Sequence, residues 1–258
     1  MKQECRYVPM DYGQAVDWSH FEGREPGAVE AWVLDFSLPA GDFRRLRGLV
    51  GELVWIDHHQ TAIDALGKEF GGLPGRRGTQ QAACLMTWTY CNPDIPAPLP
   101  VKLIADRDVW ELKYGVMSKY FHEAFWQQDP RPSSTVWDRW LAPGPAQIYD
   151  ELADGEIIYK AKEKSIRQIL MRYGRVVPLH GTDNMTVLTL NFPGTGELGE
   201  AAREMGHNVL HCYHDELRGG RLVRVNRLYS QAVDVGELAR LRGGGGHRNA
   251  AGWVKILK

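Results

Sequence analysis

The chain has 258 residues, a formal charge of −1 and 43% hydrophobic residues, core material enough for one large domain or two modest ones. Its near-neutral balance excludes a global basic field, leaving only local patches for polyanions, and Cys5, Cys84, Cys91 and Cys212 form no CxxC pair, which excludes a zinc knuckle or disulfide framework. With no apolar run of transmembrane length and no signal-peptide pattern, the expectation is a soluble cytoplasmic protein with reduced thiols.

Residues 1–27 are turn-rich and carry no apolar strand. Ala28–Ser37 reads as the first strand and contains Asp35 near its end. Pro39 and Gly41 punctuate it, and Asp42–Val50 has helical spacing with Leu46, Leu49 and Val50 inward. Leu53–His59, Leu-Val-Trp-Ile-Asp-His-His, follows directly: an apolar run of buried-strand type ending in one carboxylate and two imidazoles. Two strands joined by a helix form a βαβ unit and favour a parallel pair, so Asp35 and Asp57-His58-His59 should emerge at one sheet edge. Ligands of open α/β sheets bind at such carboxyl ends.

Gly67–Gly78 is rich in glycine and contains Arg76-Arg77; it reads either as a flexible surface loop or as a lid bringing cations to a phosphate. A helix is expected over Gln80–Cys91, with Cys84 and Trp88 as core contacts. Leu99–Ala105, helix or strand, delivers Asp106-Arg107-Asp108. Gly115–Gln128 looks helical, and the proline-rich Asp129–Pro145 is the best boundary. A long helix from about 146 to 173 should lead into a second domain. Its strands are expected at Met185–Asn191, Val209–Tyr213, Arg221–Arg227 and Trp253–Leu257, with helices near Gly196–Met205 and Val235–Arg242. The fold class is therefore α/β with two domains: residues 1–140, a linker helix over 141–180, and 181–258.

Two sets of residues carry chemistry. Asp35, His58 and Asp106, with Asp108 in reserve, offer carboxylate oxygen and imidazole nitrogen, donors that suit Mn²⁺ or Mg²⁺ better than a thiolate-rich zinc site. The run Gly243–Gly246, followed by His247 and Arg248, can wrap an anion with backbone amides and add charge. A flexible linker is the alternative.

Asp57-His58-His59 together with Gly244-Gly245-Gly246-His247-Arg248-Asn249-Ala250-Ala251-Gly252 resembles the DHH phosphoesterase superfamily. That family is named for its Asp-His-His triplet and carries a Gly-Gly-Gly-His-x-x-Ala-Ala-Gly signature in its C-terminal domain. Asp35 and Ile104-Ala105-Asp106 match its second and fourth motifs in order and spacing. The resemblance implies a parallel-sheet catalytic domain and a smaller α/β substrate-binding domain. It implies manganese-dependent hydrolysis of phosphodiesters or phosphoanhydrides in short oligonucleotides, nucleotides or related phosphate esters, with dimers frequent among relatives. Asp35, His58 and Asp106 would hold metal, His59 would face the scissile phosphate, and Asp57 would orient a histidine from behind. Gly244, Gly245, Gly246, His247 and Arg248 would hold the substrate. The family's first motif, His-x-x-x-Asp-x-Asp, has no counterpart before Asp35, where only Asp11, Asp17 and His20 stand in other spacing. The alternatives are thus a catalytically impaired nucleotide- or nucleic-acid-binding protein of the same fold, and an N-terminally truncated enzyme.

Overall fold

A computed structural model describes residues 5–142, 148–182 and 185–257, and the chain divides into two compact units. The first comprises Met1–His58 and Ala62–Glu156; the second comprises Ile157–Lys258 together with the turn His59–Thr61.

In the first unit β1 (Glu30–Leu34), α1 (Ala40–Leu49) and β2 (Glu52–Ile56) form the expected βαβ unit. The strands pair in parallel, with Glu30 opposite Glu52 and Leu34 opposite Ile56. Both faces of β2 are covered from Leu53 to Ile56, which is why its sequence is apolar without alternation. On one face Val33, Leu53 and Trp55 pack against Phe43 and Leu46 of α1 and against Leu66 and Phe70 of α2 (Gln60–Phe70). On the other, Val54 and Ile56 meet Met86 of α3 (Ala83–Cys91). Three further helices, α4 (Leu99–Asp108), α5 (Val116–Phe125) and α6 (Val136–Trp140), enclose a separate core around Leu103, Phe121 and Trp140.

The stretch 67–78 departs from the expected loop. Helix α2 runs through its first residues to Phe70. Residues 74–78 then lie along the free edge of β2: Trp55 N donates to Pro74 O at 2.9 Å, Asp57 N to Arg76 O at 3.1 Å, and Gly78 N to Asp57 O at 3.3 Å. Arg77 staples this strip from within, donating to the carbonyls of Gly71, Leu73, Pro74 and Trp55. Gly75 has φ +114°, and a Cβ there would stand 2.2 Å from Trp55 O, so the close approach admits no side chain.

The second unit begins within α7 (Tyr149–Tyr173); of the expected boundary, Pro143, Pro145 and the start of the long helix near 146 lie outside the described residues. Its strands are β3 (Arg175–Pro178), β4 (Thr186–Asn191), β5 (Leu210–Arg218), β6 (Arg221–Tyr229), β7 (Gly245–Gly246) and β8 (Ala250–Ile256). They form one sheet in the order β3-β4-β5-β6-β8-β7. The pair β4–β5 is parallel, with α8 (Gly196–Glu204) as its crossover, and the remaining pairs are antiparallel. One sheet face buries Leu188, Leu190, Leu210 and Cys212 against α7 and α8. The other buries Val187, Leu228 and Ala251 against Val235 and Ala239 of α9 (Val235–Arg240). Among the described residues no helix is long and apolar enough to cross a membrane.

On that second face His211 stacks on Trp253, with ring centroids 5.7 Å apart and planes 7° from parallel, and its Nε2 lies 3.1 Å from Asn226 Oδ1. Burial pushes the imidazole pKa down; the Asn226 hydrogen bond opposes this, and the charges of Arg242 and Arg224 add to it. The folded state therefore favours neutral His211. Its contribution is complete above the unfolded value of about 6.5 and is lost as pH falls from there through the folded pKa. Thermal melts of the protein and of His211→Gln should differ most above pH 7 and converge toward pH 5. For the β2 edge, Gly75→Ala should destabilise by roughly 2–3 kcal/mol, whereas Gly78→Ala, whose Cβ meets nothing within 4 Å, should change stability by less than about 0.5 kcal/mol in urea unfolding.

Candidate metal centre

Because β1 and β2 are parallel and in register, the residues that follow them leave the sheet at the same end. Asp35 follows β1 in the left-handed region, φ +54°, with its N–H bonded to Ile56 O at 2.9 Å. Such a conformation costs a non-glycine residue roughly 1–2 kcal/mol, and Asp is among the side chains that tolerate it. It turns the chain so that the carboxylate faces the end of β2. There Asp57 is completely buried and accepts the His58 N–H at 2.7 Å and the Ser37 hydroxyl. Ser37 Oγ in turn accepts Trp55 Nε1–H at 3.1 Å.

His58 Nε2 stands 3.2 Å from Asp35 Oδ1 and 3.3 Å from Asp108 Oδ2. The imidazole is 5% exposed, while the two carboxylates are 58% and 43% exposed, so the histidine forms the floor and the acids form the rim. Burial alone would push the His58 pKa down; the Asp35 hydrogen bond and the charges of Asp108, Asp35 and Asp57 outweigh it and hold the pKa above its ordinary value. The site is thus built to accommodate positive charge. Asp35 and His58 offer a carboxylate oxygen and an imidazole nitrogen 3.2 Å apart. The oxygen and imidazole donors fit a hard or borderline divalent cation. Cys84 does not join them: burial, with Asp108 and Asp35 nearby, pushes its thiol up to about 12 and keeps it neutral.

Asp106, expected at the metal, is placed elsewhere. Two residues along a helix turn a side chain by about 200°, so Asp106 and Asp108 leave α4 on opposite sides. The Asp106 carboxylate is buried and accepts the N–H groups of Lys113 at 2.8 Å and Tyr114 at 3.2 Å, together with the Ser118 hydroxyl. It ties down the turn after α4, where Trp110 and Leu112 adopt positive φ. Asp108, the reserve of the sequence reading, is the one that reaches His58.

Two participants had no sequence signal. Ser37 lies inside the first strand as read from sequence, and its hydrogen bonds depend on the turn at Asp35. Tyr12 comes from the turn-rich N-terminal stretch; its ring lies on Phe36, with centroids 4.6 Å apart. Burial, then the charge of Asp57, pushes its phenol pKa up.

In the second unit the glycine run forms a tight hairpin, with Gly245 opposite Gly252 and Gly246 opposite Ala251. A Cβ on Gly244 would stand 2.0 Å from Gly252 O, and Gly246 has φ +137°. The turn is closed by His247 N donating to Ala250 O at 2.8 Å, and the carbonyls of Arg248 and Asn249 accept the N–H groups of Val235 and Ser230. His247 and Arg248 are exposed on this framework. The run is ordered structure, and its glycines answer first to backbone crowding.

No family profile matches the chain. Among solved structures, the DHH domain of PF0399, a member of the s1p family of ribosomal proteins, is similar with a TM-score of 0.53 and 16% identity, over 88% of this chain and 66% of that one. The fold is that of the DHH-domain proteins. A pGpG-specific phosphodiesterase, PggH of Vibrio cholerae, is similar with a TM-score of 0.46 and 13% identity, over 86% of this chain and 84% of that one. The uncharacterized protein R106 of Acanthamoeba polyphaga mimivirus is 27% identical over 238 residues, 85% of this chain. The chain spans 52% of the length of that viral relative.

The two aspartates of α4 should separate in stability measurements. Asp106→Ala, which strands two backbone donors and a hydroxyl, should cost roughly 2–4 kcal/mol. Asp108→Ala, at the exposed rim, should cost less than about 1 kcal/mol in the same denaturant titration.

Proposed function

We propose that the chain is a divalent-cation-dependent phosphoesterase that hydrolyses phosphodiester or phosphoanhydride bonds in short oligonucleotides, nucleotides or related phosphate esters. The observation that carries this reading is the convergence of Asp35 Oδ1 and Asp108 Oδ2 on His58 Nε2 at the carboxyl end of a parallel strand pair. The DHH fold and the two motifs, Asp57-His58-His59 and Gly244–Gly252, support it.

In this reading Asp35, His58 and Asp108 hold the cation, Mn²⁺ with Mg²⁺ as the alternative. The bound cation supplies neutralisation of phosphoryl charge and a lowered pKa for water. His59, next in the chain, offers its ring nitrogen to a phosphoryl oxygen. Asp57 acts from behind: its carboxylate holds the His58 backbone N–H and so sets where the imidazole stands. In the second unit His247 and Arg248 are the cationic donors for a substrate phosphate, with Gly244, Gly245 and Gly246 letting the backbone come close. The reading also places the protein in a reducing cytoplasm, consistent with its four unpaired cysteines.

A nucleotide-binding protein of this fold without turnover is the second reading. It is favoured by one observation: within these 258 residues no His-x-x-x-Asp-x-Asp precedes Asp35. Purified protein incubated with Mn²⁺ and pApA, cyclic dinucleotides, pAp or polyphosphate separates the two. Hydrolysis of at least one is expected; nucleotide binding without turnover of any selects the second reading. His58→Ala and Asp108→Asn should each lower Mn²⁺ affinity at least about tenfold by titration calorimetry, with the far-ultraviolet circular dichroism unchanged.

A further inference from the structure

An open groove of about 700 Å³ lies on the first unit beside the strip 74–78, and no residue of the candidate centre lines it. Its size falls within the roughly 300–1,000 Å³ usual for small-molecule sites. One wall is Gly75–Gly78, the other polar side is Gln80 and Gln81, and half-buried Ile63, with the edge of the buried Met86, gives it apolar surface. The glycine wall is hydrogen-bonded to Asp57 on both sides, through Asp57 N to Arg76 O and Gly78 N to Asp57 O. The wall of the groove is therefore paired with the residue that precedes His58 in the chain.

The adjacent arginines have separate duties. Arg77 is spent inside the wall, its guanidinium donating to four carbonyls and lying 5.3 Å from the Trp55 ring centroid. Arg76 is exposed on the groove and makes one side-chain hydrogen bond, from Nη1 to Thr89 Oγ1 at 3.0 Å. Gln80 and Gln81 are also exposed, and among the described residues their side chains make no hydrogen bond. The groove thus holds a cation, two amides that each offer donors and an acceptor, and apolar surface. A phosphate answers the cation. A flat heterocycle answers the apolar surface, with polar edges for the amides. Because Arg77 and the bonds to β2 fix the wall, these groups are preorganised.

We infer that this groove binds the nucleoside next to the scissile phosphate. Arg76 pairs with the adjoining phosphate, and Gln80 and Gln81 meet the edge of the base. This rests on the phosphoesterase reading and names its substrate class as nucleotidic rather than polyphosphate. The test compares pApA with bis(p-nitrophenyl) phosphate, a phosphodiester without a nucleoside, for the protein and for Arg76→Gln and Gln80→Ala/Gln81→Ala, with Mn²⁺ present and melting temperatures checked. The ratio of kcat/KM for pApA to kcat/KM for bis(p-nitrophenyl) phosphate should fall tenfold or more in each variant. An unchanged ratio, whether both rates hold or both fall together, overturns the inference. If the unaltered protein hydrolyses neither compound, the phosphoesterase reading fails, and calorimetric titration with pApA then decides the groove alone. A tenfold weaker affinity in the variants supports it; equal affinity, or no binding to the unaltered protein, overturns it.

Discussion

Asp57 buries a carboxylate completely where two parallel strands end, and an ionised group there is tolerable only if its lone pairs are engaged. The Ser37 hydroxyl comes from the chain leaving β1 and the His58 N–H from the chain leaving β2, so one carboxylate clasps both exits. Asp35 and His58 meet because of that clasp. It adds to the Asp35 N–H bond on Ile56 O in holding the left-handed turn against its own strain. The candidate centre is a by-product of how the βαβ unit closes, with Asp108 arriving from a separate helix to complete the rim.

The same economy governs the free edge of β2. A two-stranded sheet cannot bury itself, and β2, covered on both faces, still has a row of backbone groups on the edge away from β1. The strip 74–78 satisfies them, and it fits only because Gly75 has no side chain where Trp55 O stands. Arg77 replaces the ladder that a longer strand would provide, with guanidinium donors doing the work of backbone amides. The strip becomes a firm wall, and the neighbouring Arg76 is left on its outer side.

What could be read from sequence, and what could not, follows from the range of the forces involved. The strand ends at Asp35 and Asp57 were legible because apolar runs stopping at a carboxylate need no knowledge of distant neighbours. The α/β class was legible from the same local patterns, whereas the glycine run was read as an anion cradle or a linker and its hairpin, which depends on pairing with β8, was not foreseen. Sequence did not show that Asp106 stands away from His58 and Asp108 beside it, because that depends on helical phase and Leu99–Ala105 was left open between helix and strand. Once α4 is known to be helical, Leu103 and Asp106 share the core side and Asp108 must face away. The stretch 67–78 looked mobile because it is rich in glycine, whereas its order comes from a tertiary staple by one arginine that composition does not reveal. Strand β5 runs past the expected Tyr213 because antiparallel pairing with β6 holds His214 to Arg218, a stretch polar except for exposed Leu217 that gave no apolar signal.

The sheet order of the second unit also bears on how that unit behaves in a crowd. Its two rims are β3, four residues that carry Arg175 and end in Pro178, and β7, two glycines long. A rim so short, with a proline that has no N–H to offer, is a poor template for a foreign strand. The nine-residue strands β5 and β6 both lie between neighbours, although β4 pairs with β5 only from Leu210 to Tyr213 and β7 covers only Ala251 and Gly252 of β8. The strand order therefore guards the centre of the sheet and its β3 rim against cross-β association, while the outer edge of β8 beyond Gly252 is left to a charged residue, Lys255.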